Sequence, residues 1–314
     1  MAPSVIIELK GLVKKYEDRA AVNGVNLSIF EGELFGLLGQ NGAGKSTTLS
    51  ILATLLDPDG GEVRICGHDL HREAGHIRPL IGFVPQDLAL YPTLSAQDNL
   101  TFFGRIQGLQ GTLLRERVAS VLALAGLTDR ANDAVRTFSG GMKRRLNIAV
   151  GLIHQPRVLF LDEPTVGVDP QSRNFIFEHV EELKAQGMTL LYTTHYMEEV
   201  ERLCDRVAIM DKGQVLVVDS PKGLIGLLGG GIIYAAFPSD SIESLLPSIQ
   251  GLPHVRTASP QDARMKIETT HSNLALLALI DLCSKRNVPI LSLEVLEPNL
   301  ESVFLHLTGK RLRE

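Results

Sequence analysis

The sequence has few cysteines and no long apolar run. Cys66, Cys204 and Cys283 are odd in number, lie far apart and form no C-x-x-C pair. That spacing argues against a disulfide framework or a thiolate zinc site and favours a reducing compartment. The stretch LALLALI is the nearest approach to a membrane span, and it is far too short to cross a bilayer.

The sequence also has no excess of basic residues, because 36 Asp and Glu outnumber 31 Lys and Arg and give a formal net charge of −5. A general nucleic-acid binder is usually basic, although a local basic patch stays possible. The N-terminus reaches Glu8 and Lys10 too early to hold a signal-peptide core. We therefore expect a soluble protein that reaches a membrane only through a partner.

What the chain does contain is an alternation of apolar strands and amphipathic helices, typical of an α/β fold. The 314 residues, 44% apolar, are enough for two domains. Short strands are predicted in SVIIELKGLVKKY and AVNGVNLSIF, followed by a strand, a Gly-rich loop and a helix over residues 32–56. Residues 95–151 contain helical periodicity. Further strands are predicted in RVLFLDEP, MTLLYTTH and DRVAIMDKGQVLVVD.

The pattern changes after residue 220, where Gly229 to Gly231 indicate a linker or turn. Beyond it we predict four strands and three helices, in the order strand, helix, strand, strand, helix, strand, helix. The predicted ranges are 232–237, 241–250, 254–259, 265–269, 273–286, 290–295 and 300–307. The βαββαβ order indicates a small ferredoxin-like α+β module over residues 221–314.

Residues 39–46, GQNGAGKS, fit the phosphate-loop pattern G-x-x-x-x-G-K-[ST] in full. Glycines allow the backbone N–H groups to approach phosphate oxygens, and the following helix N-terminus adds positive field. Lys45 supplies a point charge to the outer phosphates, and Ser46 offers a hydroxyl to Mg²⁺, with Thr47 beside it. A Gly-rich turn that matches by chance is the alternative, and the flanking strand and helix argue against it.

Two adjacent acids, Asp162 and Glu163, end a continuous apolar strand. Ligands of open α/β sheets bind at the carboxyl ends of the strands, where these two acids are predicted to lie. Asp162 is the candidate Mg²⁺ ligand, and Glu163 is the candidate general base for the attacking water. A solvated Asp-Glu-Pro turn is the alternative, which the phosphate loop in the same chain makes weak.

With these motifs in this order, residues 4–220 resemble the ATP-binding cassette (ABC) ATPase subunits. The resemblance implies a P-loop NTPase core, with a parallel sheet, an antiparallel β subdomain and a helical subdomain at about residues 87–152. It implies ATP and Mg²⁺ as cofactors. The implied nucleotide-binding residues are Tyr16, Gly39, Asn41, Gly42, Ala43, Gly44, Lys45, Ser46, Thr47, Ser139, Gly140, Gly141 and Asp169. The implied catalytic residues are Glu163, His195, Gln86 and Lys45, and the implied metal ligands are Ser46, Gln86 and Asp162.

The family signature is matched by Ser139-Gly140-Gly141, although Phe138, Met142 and Val168 depart from the commonest residues at their positions. We expect Ser139 to cap a helix whose bare N–H groups bind the γ-phosphate of ATP held by a second ABC domain. Because the chain contains one phosphate loop, the simplest partner is a second copy of the chain, placed head to tail. At least two of the three basic residues 143–145 are expected to point into solvent.

The tail LEPNLESVFLHLTGK resembles the ending of ATPase subunits of ABC-2-type exporters. This implies a separate transmembrane permease, a peripheral position at the cytoplasmic face of the membrane, and no nucleic-acid partner. Leu88, Leu90 and Tyr91 would either contact the permease or belong to the core. A soluble ABC ATPase acting on ribosomes or DNA is the alternative, as is a binding module with an inactive site. Relatives that act in translation usually carry two cassettes in one chain, and relatives that act in DNA repair insert a long coiled coil between the motifs; the sequence has neither feature.

His68, His71 and His76 lie close together in GHDLHREAGH, but their spacing matches no metal-ligand pattern. We expect a solvated loop and helix start there.

Overall fold

The computed structural model describes residues 4–17, 19–227, 230–238, 240–261 and 264–308. The chain divides into two compact units between Ser220 and Pro221. Gly229, in the predicted linker, and residues 309–310 of the tail motif lie outside the described residues. Each unit is described by itself below.

The first unit contains two sheets and seven α-helices within its described residues. Its strands are β1 (Val5–Tyr16), β2 (Arg19–Phe30), β3 (Leu34–Gly39), β4 (Gly60–Ile65), β5 (His68–Asp69), β6 (Ile81–Val84), β7 (Val158–Asp162), β8 (Thr189–Thr194), β9 (Arg206–Asp211) and β10 (Gln214–Asp219). Its helices are α1 (Lys45–Leu52), α2 (Leu70–Ile77), α3 (Ala96–Ile106), α4 (Gly111–Leu124), α5 (Gly140–Leu152), α6 (Pro170–Ala185) and α7 (Met197–Leu203).

The larger sheet has the order β10-β9-β3-β8-β7-β6, parallel throughout except for β10 at one edge. Every residue of β3, β7 and β8 is buried, which explains why most of their residues are apolar. Because parallel strands end at the same edge, the carboxyl ends of these three strands bring their following loops together. That edge carries the phosphate loop, the paired acids and His195.

A smaller antiparallel sheet has the order β2-β1-β4-β5. Apolar residues of β1 and β2 enter one cluster that also contains side chains from β3, α1 and β7. This cluster joins the two sheets across α1. The shared core fixes the β1–β2 hairpin relative to the loop that follows β3.

Helices α3, α4 and α5 fall in the region where helical periodicity was predicted, and they pack on one another. Short 3₁₀ turns at Thr128–Arg130 and Val135–Thr137 lead from α4 into α5. Leu88 and Tyr91 precede α3 and are 41% and 46% exposed. The ring of Tyr91 packs edge-on against Phe102 of α3, with centroids 5.0 Å apart. These apolar side chains therefore belong to an exposed face and not to the core, and Leu90 beside them is half-buried.

The second unit is a separate α+β module. Its elements are α8 (Pro221–Gly226), β11 (Ile232–Ala236), α9 (Ile242–Gln250), β12 (Val255–Gln261), β13 (Arg264–Thr269), α10 (Ser272–Lys285), β14 (Ser292–Leu296) and α11 (Leu300–Thr308). The sheet order is β12-β13-β11-β14, with antiparallel neighbours, over an apolar core of its own. The predicted βαββαβ order is confirmed, and the ends of its elements shift by at most two residues. Only α8, among the described elements of this unit, was not predicted.

No helix in the described parts of the chain combines the length and apolar character that a bilayer crossing requires.

Candidate active site

The phosphate loop leaves the buried strand β3 and enters α1 through two glycines with left-handed backbone. Gly42 has φ 81° and Gly44 has φ 105°. A Cβ on Gly44 would lie 2.4 Å from the carbonyl oxygen of Ala21, so only glycine fits there. The N–H of Gly213 donates to the carbonyl of Ala43 at 2.9 Å and holds the loop from the other side. Packing against the surrounding strands therefore fixes the conformation of the loop.

Lys45 lies at the centre of this loop, with a side chain only 4% exposed. Its ammonium donates to the carbonyl oxygens of Gly39 (2.8 Å) and Gln40 (3.3 Å). The same Nζ lies 3.1 Å from Oε1 of Glu163, which is also buried. A buried charge needs such partners, because its desolvation is otherwise costly. Lys45 and Glu163 thus compensate each other at the edge of the sheet.

Asp162, at the last residue of β7, accepts two hydrogen bonds on one carboxylate oxygen. Thr193 Oγ1 donates to Oδ1 at 2.6 Å, and Ser46 Oγ donates to the same atom at 3.1 Å. These bonds fix the carboxylate beside the hydroxyl of the phosphate loop. Serine hydroxyl and carboxylate oxygens are the hard donors that Mg²⁺ prefers. The donor set therefore fits the metal that the sequence predicts.

Glu163 follows with an unusual backbone, since its φ is 44°. A non-glycine residue rarely occupies this left-handed region, and strain of this kind concentrates at functional sites. Its N–H donates to both Oγ1 (3.0 Å) and the carbonyl oxygen (3.2 Å) of Thr193. Its second carboxylate oxygen lies 3.2 Å from Nδ1 of His195. Glu163 thus lies between Lys45 and His195.

Behind His195, the buried carboxylate of Glu199 on α7 joins three hydroxyl groups. Thr165 Oγ1 donates to Oε1 at 2.6 Å, while Tyr192 Oη (3.0 Å) and Thr194 Oγ1 (2.7 Å) donate to Oε2. Burial raises the pKa of Tyr192 well above its ordinary value, so the phenol stays a donor. The network connects the loop after β7, the end of β8 and α7, which fixes the backbone on either side of His195.

Gln86 follows β6 and is one of the residues that line the cleft in front of the phosphate loop. The other lining residues are Asn41, Gly42, Gly44, Lys45, Ser46, Thr47 and Glu163. Arg144 of α5 donates to the carbonyl oxygens of Pro85 (2.9 Å) and Gln86 (2.6 Å). α5 thus holds the backbone of Gln86 at the cleft.

The prediction that two of the basic residues 143–145 point into solvent is wrong. Arg144 is only 5% exposed, and burial lowers the pKa of its guanidinium. Arg145 donates to the carbonyl oxygen of Ala125 at 3.0 Å, and its guanidinium lies 4.4 Å from the centre of the Phe175 ring. Carbonyl oxygens and an aromatic face, rather than solvent, therefore receive these two charges, and burial also lowers the pKa of Arg145.

Ser139 caps α5 as expected, accepting a hydrogen bond from the N–H of Met142 at 3.2 Å. Asp169 caps α6 in the same way by accepting from the N–H of Ser172 at 2.9 Å, and this bond lowers the pKa of Asp169. The two caps meet, because a Cβ on Gly141 would lie 1.9 Å from Ser172 Oγ and 3.2 Å from Asp169 Oδ2. Ser139 and Gly140 are exposed and do not line the cleft of the phosphate loop in the same chain.

Tyr16 is 51% exposed at the end of β1, opposite Arg19. The Arg19 guanidinium lies 3.8 Å from the place that a Cβ on Gly42 would occupy. The hairpin end is therefore close to the phosphate loop, although Tyr16 itself is not one of the cleft-lining residues.

Sequence reasoning missed three residues that hold the site: Thr193, Glu199 and Arg144. Thr193 precedes His195 by two positions at the end of a predicted strand. The sequence therefore could have placed Thr193 at the sheet edge that carries the other site residues. Glu199 had a weaker signal, since an acid in the EE pair of α7 appears solvated in the sequence. The burial of Arg144 depends on how α5 packs on the segment after β6, which no local pattern reveals.

A phosphate loop on a parallel sheet, with a lysine, two acids and a histidine at one edge, defines a P-loop nucleotide hydrolase of the cassette type. The family model described as ABC transporter matches residues 22–166. The chain is 44% identical over 311 residues to the linearmycin resistance ATP-binding protein LnrL of Bacillus subtilis (strain 168), covering 98% of this chain and 100% of the relative. It is 39% identical over 313 residues to Nod factor export ATP-binding protein I of Cupriavidus pinatubonensis (strain JMP 134 / LMG 1197), covering 100% and 94%.

Among solved structures, a dimeric ATP-binding cassette in a post-hydrolysis state, bound to ADP and Pi, superposes with a TM-score of 0.63 at 30% identity. The match covers 68% of this chain and 98% of that cassette. The chain belongs to the ABC transporter family, and it is an ATPase subunit. The predicted family, fold class and enzyme class are confirmed.

Proposed function

We propose that this protein is the ATP-hydrolysing subunit of an ABC-2-type exporter, working as a head-to-tail dimer beneath a separate membrane permease. The convergence of Lys45, Asp162, Glu163 and His195 at one sheet edge is the observation that carries the proposal. Relatives along the full length of the chain are named as resistance and export ATP-binding proteins, which favours export over action on ribosomes or DNA. The names of these relatives also favour a position of this protein at the cytoplasmic face of the membrane.

In this proposal ATP lies with its phosphates in the loop of residues 39–47. The N–H groups of the loop and of the α1 N-terminus face the phosphate oxygens. The γ-phosphate competes with Glu163 for the Lys45 ammonium, since both anions need the same buried cation. Tyr16 contributes an aromatic face for adenine from the nearby hairpin end.

Mg²⁺, held by Ser46, Asp162 and Gln86, would neutralise charge on the β- and γ-phosphate oxygens. Released from Lys45, the Glu163 carboxylate accepts a proton from the attacking water. His195 lies beside that carboxylate and donates to the γ-phosphate. The strained backbone of Glu163, held by Thr193, keeps the carboxylate aimed into the cleft.

The exposed signature supports the dimer. Ser139 and Gly140 are exposed at the α5 N-terminus, and they are not among the residues that line the phosphate-loop cleft of the same chain. A second copy, placed head to tail, supplies Ser139, Gly140 and Gly141 to the γ-phosphate and Asp169 to the seam. The exposed apolar side chains Leu88 and Tyr91, which follow Gln86 in the chain, are suited to contact the permease.

The test is Glu163→Gln, compared with wild type in ATP hydrolysis and ATP binding. Removing a general base costs about 10²–10⁴-fold in rate. We expect that loss in hydrolysis with ATP binding retained, since the amide keeps the shape and removes the charge that competes for Lys45.

Glu198→Gln is the matched control, because Glu198 is an exposed acid three residues from His195. We expect it to hydrolyse ATP as wild type does. Equal hydrolysis by the Glu163→Gln protein and wild type would show that Glu163 is not the base.

A further inference from the structure

Three side chains outside the nucleotide cleft meet where β5 leads into α2. The ligand atoms of His68, Glu73 and His76 all lie within 4.8 Å of one another. His68 Nδ1 is 3.0 Å from Glu73 Oε1, and the rings of His68 and His76 stack with centroids 5.5 Å apart. His71, on the same helix, is not part of this group. We call the three residues the HEH cluster.

The local fold explains why these three meet. Asp69 caps α2 by accepting from the N–H of Arg72 at 3.0 Å, and Glu73 Oε2 accepts from the N–H of Asp69 at 2.9 Å. This return bond turns the Glu73 carboxylate back over β5, where His68 lies. Glu73 has non-helical backbone torsions (φ −127°, ψ 25°) that kink α2, and with this backbone its carboxylate lies within 4.8 Å of a ring nitrogen of His76.

The HEH cluster has the chemistry of a transition-metal site. The N–H of Asp69 donates to Glu73 Oε2 at 2.9 Å, and Glu73 Oε1 lies 3.0 Å from Nδ1 of His68. Two imidazoles and a carboxylate suit Zn²⁺ and its neighbours, whereas Mg²⁺ prefers oxygen ligands alone. Ligands of a tetrahedral Zn²⁺ with bonds near 2.1 Å lie about 3.3 Å apart. The His68–Glu73 pair already has that spacing, and the exposed His76 side chain has rotamer freedom to approach it.

We propose that His68, Glu73 and His76 bind one divalent transition-metal ion of the Zn²⁺ type, with water completing its coordination. The sequence pattern alone gave no metal-ligand spacing, because two ligands come from α2 and the third from the preceding strand. The bound ion would tie β5 to α2 at the edge of the antiparallel sheet. This site is separate from the oxygen-donor site of Ser46 and Asp162, and it does not depend on the proposed transport function.

The experiment titrates the tag-free full-length chain, without nucleotide, with ZnCl₂ by isothermal calorimetry. We expect one ion per chain, and a rise of about 5 °C in Tm under saturating Zn²⁺, because a ligand of the folded state stabilises it. His68→Ala and His76→Ala should each weaken binding by at least about tenfold. Co²⁺ in place of Zn²⁺ should give visible bands without the thiolate charge-transfer absorption that a cysteine ligand would add.

His71→Ala is the matched control and should bind Zn²⁺ as wild type does. Glu73→Gln keeps an oxygen that can accept the Asp69 N–H and so preserves the fold, and it should also weaken binding. Tm without metal identifies any variant that fails to fold. If His71→Ala weakens binding as much as His76→Ala, or if the cluster variants bind unchanged, the Zn²⁺ is an adventitious surface ion and the proposal is wrong.

Discussion

His154, just after α5, shows how a single buried side chain makes stability depend on pH. Its Nε2 donates to the carbonyl oxygen of Ile81 at 2.8 Å, which assigns the proton to that nitrogen. Nδ1 is buried, and no group in the described part of the chain forms a hydrogen bond with it. Protonation would place a charge there with no acceptor, and burial accordingly lowers the pKa of His154.

The sign of the effect follows from proton uptake. An unfolded histidine takes up a proton near pH 6.5, before folded His154 does. The contribution of His154 to the free energy of unfolding is therefore complete above pH 6.5 and is lost as pH falls through the lower folded pKa. His154→Gln keeps an N–H donor and removes the titration. We expect its Tm to fall less than that of wild type between pH 7.5 and 5, measured by calorimetry. Parallel curves would contradict this assignment.

At the scale of single residues, much of the active site could be predicted from the sequence, because its residues lie in short motifs directly after predicted strands. Lys45 and Ser46 have a loop motif, and Asp162 and Glu163 end an apolar run. The left-handed backbone of Glu163 could not be predicted, since nothing in its pattern specifies φ. Its conformation depends on Thr193, which comes from a neighbouring strand thirty positions later.

At the scale of elements, α5 and α6 touch at Gly141, and the contact leaves no room for a side chain. A Cβ there would lie 2.5 Å from Ser172 Cβ, whereas the nearest atom to a Cβ on Gly140 is 3.9 Å away. Gly141→Ala should therefore lower the free energy of unfolding by about 1–3 kcal/mol through overpacking. Urea unfolding of the two glycine variants measures the difference.

Gly140→Ala is the control, and we expect its stability to match wild type. Removing the opposing side chain, in the double variant Gly141→Ala with Ser172→Gly, should recover much of the loss relative to Ser172→Gly alone. The cap of α6 survives in that variant, since Asp169 accepts from a backbone N–H. Equal stability of both single glycine variants would show that α5 and α6 separate without cost.

The difference between these glycines is also a limit of sequence reasoning. Gly140 and Gly141 are adjacent and look alike in the sequence, but only one faces α6. By contrast, the described elements of the second unit were all predicted except α8, because strands and helices of clear periodicity are separated there by short turns. Local pattern therefore predicted the elements, and packing between elements remained beyond it.

At the scale of the whole molecule, the nucleotide site that we propose is divided between two surfaces of one chain. Lys45 lies in the cleft, and Ser139 lies exposed outside it. If a second copy supplies its Ser139 edge to this cleft, Lys45→Ala and Ser139→Ala each damage both sites of their own dimer. A mixed dimer collects both lesions at one site and leaves the other site intact.

Mixing the two variants in equal amounts should therefore restore hydrolysis to about a quarter of the wild-type rate, because half of the dimers are mixed and each has one intact site of two. Each variant alone should be nearly inactive. Lys45→Ala mixed with Ser46→Ala is the matched control, since both lesions lie in the phosphate loop and no combination leaves an intact site. Phosphate release after subunit exchange measures all three. Full hydrolysis by subunits held apart as monomers, with no recovery in the first mixture, would mean that one chain completes its own site.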